Sequence, residues 1–252
     1  MNDKALSDKP LRLVEVTRSF GSLEVLRDLN LEVARHEFVA VVGPSGCGKT
    51  TLLNLLSGFD QPSSGELRRS GGVRMVYQQD GLFPWLTAAD NIALGLRHVR
   101  DSGERERRVR EMLALIRLED FAGHYPHQLS GGMRQRVELA RALAAEADVL
   151  LMDEPFSALD YLTRLQMRRE LAHLLRERPR TVVFVTHDIE EAAQLADRVI
   201  VLSARPARIR CVLPLEVPRP RDPTHPVVVN AVRRVLDEMG LRQETAEAGE
   251  IA

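Results

Sequence analysis

The sequence predicts an α/β fold with a helical insertion, and three observations carry that prediction. Phe38-Val39-Ala40-Val41-Val42 is a continuous apolar run that leads into a glycine-rich loop and then a helical pattern. A strand buried on both faces reads this way, without alternation. Val149-Leu150-Leu151-Met152 is a second such run, and it stops at two carboxylates, Asp153 and Glu154. Between these runs, residues 86–146 lose the strand texture and take up helical spacing.

In chain order, Leu11, Leu13, Val14 and Val16 predict a first strand, and Val25, Leu29, Leu31 and Val33 a second. The run at 38–42 is the third. Residues 50–57 read as a helix stopped by Gly58, residues 62–65 as a turn, and residues 73–77 as a short strand. In the insertion, Val109, Met112, Leu113 and Ile116 fall on one helical face, behind the solvated run Glu104-Arg105-Glu106-Arg107-Arg108. Met133, Val137, Ala140 and Ala144 mark a second helix. Alternation then resumes: strand 149–152, helix 161–177, strand 181–185, helix 188–196 and strand 199–202. Prolines and arginines accumulate over 204–226, residues 227–239 form a last amphipathic helix, and 242–252 is a polar tail expected to be disordered. No internal repeat is visible.

With 44% hydrophobic and 28% charged residues among 252, the chain can bury one core with a sizeable insertion, which excludes bulk disorder. The 35 basic and 36 acidic residues balance, so a broadly basic nucleic-acid surface is not indicated. No apolar run approaches the ~18–20 residues of a membrane span, and the first thirteen residues have no signal-like apolar region. Cys47 and Cys211 lack metal or disulfide spacing, which leaves a reducing compartment as the default. Of three lysines, Lys4 and Lys9 lie near the N-terminus, so Lys49, inside the glycine-rich loop, stands out against 32 arginines.

That loop, Gly43-Pro44-Ser45-Gly46-Cys47-Gly48-Lys49-Thr50, matches G-x-x-x-x-G-K-[ST] between a buried strand and a helix. Glycines let successive N–H groups point inward at phosphate oxygens, and the helix N-terminus adds partial positive charge. Lys49 supplies a full charge for the β- and γ-phosphates of ATP. The Thr50 hydroxyl is a ligand for Mg²⁺, and Thr51 follows in the same turn. Asp153 and Glu154 end a strand, where an open α/β sheet presents its ligand crevice. Asp153 is placed to hold the metal, and Glu154, next along the pleat, to polarise an attacking water. Alone, such a pair is an ordinary solvated strand end; the loop upstream selects the nucleotide reading.

Leu129-Ser130-Gly131-Gly132-Met133-Arg134-Gln135-Arg136 opens a helix with two glycines in its first turn, where glycine is a poor helix former. Ser130 reads as the N-cap. Close approach of a phosphate would account for the glycines; a bland glycine turn is the alternative.

With these pieces in this order, the chain resembles the ATP-binding-cassette (ABC) ATPases from about residue 11 to 215. The resemblance implies a P-loop core with an antiparallel β subdomain and an inserted α-helical subdomain at about 86–146. Residues 1–10 would be a tail and 216–252 a C-terminal helix and polar extension. Phe20 stands where an aromatic residue stacks on adenine, with phenylalanine in place of the commoner tyrosine. Residues 43–50 are the Walker A loop. Gln78 resembles the Q-loop glutamine, with a metal and catalytic role. Residues 129–133 are the signature, and Asp153-Glu154 Walker B with the catalytic glutamate. Ser157-Ala158-Leu159-Asp160 is the D-loop and His187 the switch histidine. The family pairs two cassettes head to tail in ATP, so Ser130, Gly131 and Gly132 would act on the partner's nucleotide.

Leu82-Phe83-Pro84-Trp85-Leu86-Thr87, the signature and Met152-Asp153-Glu154-Pro155-Phe156 are similar to bacterial importers of the nitrate/sulfonate/taurine group. That similarity implies the energy-coupling ATPase of a small-anion importer. It would be a homodimer on a multi-span permease dimer, fed by a periplasmic solute-binding protein, peripheral on the cytoplasmic face of the inner membrane. The similarity places Trp85 near the groove for the permease's coupling helix, whereas a lone tryptophan is otherwise a core residue. The substrate is chosen by the partners, and thiamine-precursor importers share these motifs. A soluble ABC ATPase working on nucleic acid or ribosomes is the other class; balanced charge and a single cassette stand against it, and no nucleic-acid partner is expected.

Overall fold

The computed structural model describes residues 9–77 and 81–241. Its frame is two sheets. Three antiparallel strands, β1 (Leu11–Phe20), β2 (Leu23–Val33) and β4 (Ser64–Arg69), stand in the order β2-β1-β4. Six strands form the second sheet in the order β5-β6-β7-β3-β8-β9. They are β3 (Phe38–Val42), β5 (Val73–Val76), β6 (Val149–Asp153), β7 (Thr181–Val185), β8 (Arg198–Leu202) and β9 (Ile209–Pro214). β5, β6, β7, β3 and β8 are parallel, and β9 closes the sheet antiparallel. Both the antiparallel sheet and the helical insertion are present as expected.

The continuous apolar runs follow from burial on both faces. Along β3, Phe38, Ala40 and Val42 face one core while Val39 and Val41 face the other. The second core packs β1, β2 and α1 (Lys49–Ser57) through Leu52, Leu53, Leu55 and Leu56. The first takes α2 (Ala88–Gly95), α3 (Ser102–Leu115) and α4 (Gly131–Ala144), all inserted between β5 and β6. It also takes α5 (Tyr161–Glu177), α6 (Ile189–Leu195) and α7 (Pro226–Glu238).

Two strands lie outside the sequence reading. β4, Ser-Gly-Glu-Leu-Arg-Arg, begins inside the expected turn at 62–65 and is held by backbone pairing with β1, Leu13 opposite Leu67. β9 is also an edge strand and only its Leu213 is buried. Edge strands with one dry face or none give little hydrophobic pattern. The polar tail at 242–252 lies outside the described residues.

Arg221, from the segment before α7, is buried and spends its guanidinium on backbone carbonyls. Nη1 donates to Ala193, Gln194 and Ala196 at 3.3, 3.4 and 2.7 Å, and Nε and Nη2 donate to Val217 and Leu215. These caps satisfy the end of α6, whose last carbonyls have no partner within the helix. Arg221→Ala should therefore cost on the order of 2–4 kcal/mol. In a chain of this size the melting temperature should fall by roughly 5–15 °C; a loss under 2 °C would show that water replaces the cap.

Candidate active site

α1 is the only α-helix among the described residues that begins without a capping side chain. Thr87, Asp101, Ser130, Asp160, Asp188 and His225 each accept from a first-turn N–H of their helices. The cap position of α1 is Gly48, with φ +115° and no side chain to offer. A Cβ at Gly48 would stand 2.7 Å from Val25 and 2.8 Å from Leu26. The glycine thus lets the loop lie against β2 and leaves the first amides of α1 to an anion.

Lys49 is buried and donates to the carbonyls of Gly43 at 2.9 Å and Pro44 at 3.1 Å. Two of its three N–H groups brace the loop, and the ammonium stays inside the phosphate cradle. Cys47 is buried against Gly43, and burial pushes its thiol pKa up. The position carries packing rather than a reactive thiol.

Thr50 donates its hydroxyl to Asp153 Oδ2 at 2.8 Å. Burial, foremost, pushes the Asp153 carboxyl above the usual aspartate range; the Thr50 bond and the charge of Lys49 oppose this, and Glu154 adds to it. A buried carboxylate beside a hydroxyl at the phosphate cradle is the hard-oxygen pair that Mg²⁺ takes alongside phosphates. Among the described residues no group of three or more His, Cys, Asp or Glu gathers for a metal.

Glu154 is not simply the next side chain along the pleat. β6 ends at Asp153, and Glu154 turns off at φ +48° with its N–H bonded to the Val185 carbonyl at 2.9 Å. This kink aims its carboxylate at His187, Nδ1 to Oε2 3.1 Å. The backbone on both sides of His187 is held from α5. Arg168, buried, reaches Asp188 Oδ2 and Glu191 Oε1, both at 2.7 Å, while Thr186 Oγ1 donates to Glu191 at 2.8 Å. Burial raises the Glu191 carboxyl pKa, and Arg168 opposes that.

Phe20, Ser45, Gly46, Gly48, Lys49, Thr50, Thr51, Asp153 and Glu154 line one cavity of about 470 Å³, with Leu23, Val25 and Arg205. Phe20 is half exposed, and the Arg18 guanidinium lies 4.2 Å from its ring centroid. Ser130, Gly131, Gly132 and Asp160 are not part of this cavity. Gln78 lies outside the described residues. Arg205 and Arg168 went unread in the sequence, for neither sits in a spacing pattern that announces it, and Gln135 was read only as part of the signature stretch, with no role of its own.

The family profile for the ABC transporter matches residues 26–157, from within β2 to the turn after β6. The chain belongs to the ABC transporter family. The aliphatic sulfonates import ATP-binding protein SsuB 1 of Rhizobium johnstonii is 44% identical over 234 residues, covering 90% of this chain and 84% of its own. SsuB 2 of Pseudomonas aeruginosa, with the same import description, is 46% identical over 220 residues, covering 84% and 78%. Among solved structures, a dimeric post-hydrolysis ATP-binding cassette bound to ADP and Pi superposes with a TM-score of 0.73 at 34% identity, over 82% of this chain and 99% of its own. As a member of the ABC family the chain is an ATPase.

The two signature glycines of this ABC chain are not equivalent. Ser130 caps α4 by accepting from Met133 N at 3.3 Å. At Gly131 a Cβ would meet nothing closer than Arg134 at 3.8 Å, whereas at Gly132 it would stand 3.0 Å from the Ala158 carbonyl of the same chain. Gly132 is thus glycine for its own D-loop, and Gly131 is the one left open. Gln135, buried one turn later, donates to the Glu154 carbonyl at 3.1 Å and accepts from Ala158 N at 3.0 Å. Asp160 caps α5 through Thr163 N at 3.0 Å, and the Thr163 hydroxyl, foremost, with this N–H draws its carboxyl pKa down.

Two expected outcomes follow from this geometry. Asp153→Asn keeps an acceptor for Thr50 and removes a buried charge, so the nucleotide-free protein should melt a few degrees higher. The folded carboxyl titrates above the unfolded value of 3.8, so wild-type stability falls as pH rises above that value. The gap to Asp153→Asn should open over the same range, and a variant melting below wild type at pH 7 would contradict the assignment. Separately, Gly132→Ala should destabilise the lone chain while Gly131→Ala leaves its melting temperature within about 1 °C; equal losses would refute the division between the glycines.

Proposed function

We propose that this chain is the ATP-hydrolysing, energy-coupling subunit of an importer for a small anion such as a sulfonate, taurine or nitrate. The observation that carries this reading is the single cavity in which an uncapped helix, Lys49, Thr50, Asp153 and Glu154 converge. The relatives' names as import ATP-binding proteins supply the transport context. No helix among the described residues is long and apolar enough to cross a membrane, so transport requires membrane-spanning partners. We place the subunit on the cytoplasmic face of the inner membrane.

Each residue then has a task. The amides of Gly46, Cys47 and Gly48 and the head of α1 bind the phosphates, Lys49 neutralises them, and Phe20 offers its free face to adenine. Thr50 and Asp153, with Gln78, would hold Mg²⁺. The metal would neutralise developing charge between the β- and γ-phosphates. Glu154 takes the proton of the attacking water. Nδ1 of His187 donates to Glu154 and fixes that carboxylate, leaving Nε2 to face the γ-phosphate. Ser130 and Gly131 lie outside their own chain's cavity and serve the nucleotide of a second copy. The dimeric ADP-bound relative supports such pairing.

Trp85 is 68% exposed and packs against Phe83 with the rings tilted and 5.4 Å between centroids; the core reading of this tryptophan does not hold. It stands beside a cleft of about 770 Å³ lined by Phe59, Tyr77, Phe83 and Arg141 between α1, β5 and the inserted helices. We assign that cleft to the permease's cytoplasmic helix. An exposed aromatic that docks loses water, so Trp85 emission should move to shorter wavelength when a permease lacking its own tryptophans binds; unchanged emission would remove Trp85 from the interface.

Glu154→Gln keeps shape and removes the base. Turnover should fall by ~10²–10⁴. ATP affinity should hold or rise as like-charge repulsion falls, and an ATP-bound dimer should accumulate on size-exclusion chromatography. Wild-type turnover in this variant would take the base role from Glu154.

A further inference from the structure

We propose that Arg205 is a nucleotide-binding residue that grips the α-phosphate end of the bound nucleotide, on the flank of the phosphate loop away from the catalytic glutamate. This rests on the nucleotide reading of the cavity above. Arg205 lines that cavity with Phe20 and Lys49. Its Nε and Nη2 both donate to the Gly46 carbonyl, at 3.1 and 2.6 Å. Nη1 is left over with two N–H groups, and among the described residues no carboxylate pairs with the guanidinium. Its neighbours differ: Arg208 is paired with Asp28 at 2.8 Å, and Arg27 with Glu24. An arginine fixed at one edge, unpaired at the other and set in a cavity rim is a cation waiting for an anion.

Sheet order says which part of the nucleotide it meets. β3 feeds the phosphate loop and lies between β7 and β8. Asp153 ends β6, and His187 follows β7, so the γ-phosphate machinery stands on one flank. Arg205 follows β8, on the opposite flank, toward Phe20. The turn that carries it is fastened to both sheets. Ala207 N donates to the Val25 carbonyl at 2.8 Å and Arg27 N to the Ala207 carbonyl at 2.9 Å, while Ser203 N donates to the Arg208 carbonyl at 3.0 Å. A turn fixed this way presents its charge without ordering a loop on binding.

The test measures Kd for MgATP and MgADP by calorimetry on the full chain at low and high salt, for wild type, Arg205→Gln and Arg205→Lys. Arg205 is exposed, so both variants keep the fold, which an unchanged nucleotide-free melt verifies. Gln and Lys each retain one N–H for the Gly46 carbonyl, and only Lys keeps the charge. Arg205→Gln should weaken ATP and ADP alike by about tenfold. Arg205→Lys should recover most of that at low salt and lose it at high salt, because a lone exposed ammonium is screened. In turnover assays the Arg205→Gln loss should sit in KM. Equal affinities for all three proteins would overturn the proposal, as would identical losses in Gln and Lys at low salt, which mean a loop brace only. A loss confined to ATP would move Arg205 to the γ-phosphate and also overturn it. If wild type bound no nucleotide, the reading of the cavity would fall first, and a Lys49→Ala control separates that failure from the others.

Discussion

The register of three parallel strands is the constraint on which the rest of the molecule depends. Asp153 of β6 lies beside Val185 of β7, and Val185 beside Val41 of β3. One level therefore ends in a carboxylate, the approach to His187 and the mouth of the phosphate loop. A slip of one residue in any pair would turn each side chain to the opposite face. Here both faces are dry, so apolar alternation alone does not forbid the slip. What fixes the register is size: Phe38 and Phe184 meet edge to face at 5.7 Å on one side, with Phe156 against Phe184 at 6.0 Å. The opposite side takes Val39, Val183 and Leu151 against the leucines of α1. The chemistry at the sheet edge is thus a consequence of packing several residues behind it.

From that edge, positioning spreads outward through buried polar groups rather than through the core. Arg168 ties α5 to the segment around His187, and Gln135 ties α4 to Glu154 and Ala158. α5 begins right after Asp160 and α4 begins at the signature. A displacement at either helix start is therefore felt at Glu154 and the segment around His187 through part-buried and buried hydrogen bonds, which are costly to leave unmade. The starts of α4 and α5 thus have a physical route to Glu154 and His187.

The legible parts of the sequence share one property: they depend on local order along the chain. Strands 38–42 and 181–185 and helix 161–177 have the same bounds in the structure because apolar runs and caps are local signals. The phosphate loop was legible because four specified positions, Gly43, Gly48, Lys49 and Thr50, fall at fixed spacing within eight consecutive residues. β4 was not, since Ser64–Arg69 is polar and owes its conformation to β1 alone. Arg205 and Arg168 were illegible for a different reason. Each is one arginine among many, and its partner is 159 or 23 residues away in the chain, at Gly46 and Glu191 respectively. The signature glycines were legible as a pair, but which of them faces its own D-loop needed coordinates. For Trp85 the sequence left two readings, a core residue, since large aromatics are mostly buried, and a groove residue by resemblance; its 68% exposure removes the first.

The charge arrangement explains why such a site is stable enough to fold and still ready to bind. Asp153 and Glu154 are adjacent carboxylates, the first buried and held above its usual pKa. Lys49 is the only lysine in the loop, and its ammonium leans on two carbonyls rather than on either acid. Neither sign is neutralised by the other at short range. If Lys49 were locked to Asp153, the cavity would be electrically quiet, and a triphosphate would have to break a buried ion pair on entry. As built, the cation leans on the loop carbonyls and the carboxylate on the Thr50 hydroxyl, which on the proposed reading leaves one for phosphates and the other for a metal. Each then gains its counter-charge from the same incoming ligand. The folded protein tolerates a buried acid that one hydroxyl and a nearby ammonium only partly offset, and on the proposed reading the incoming cation would supply the rest. A mutation that relaxes the acid therefore stabilises the empty protein at the expense of binding.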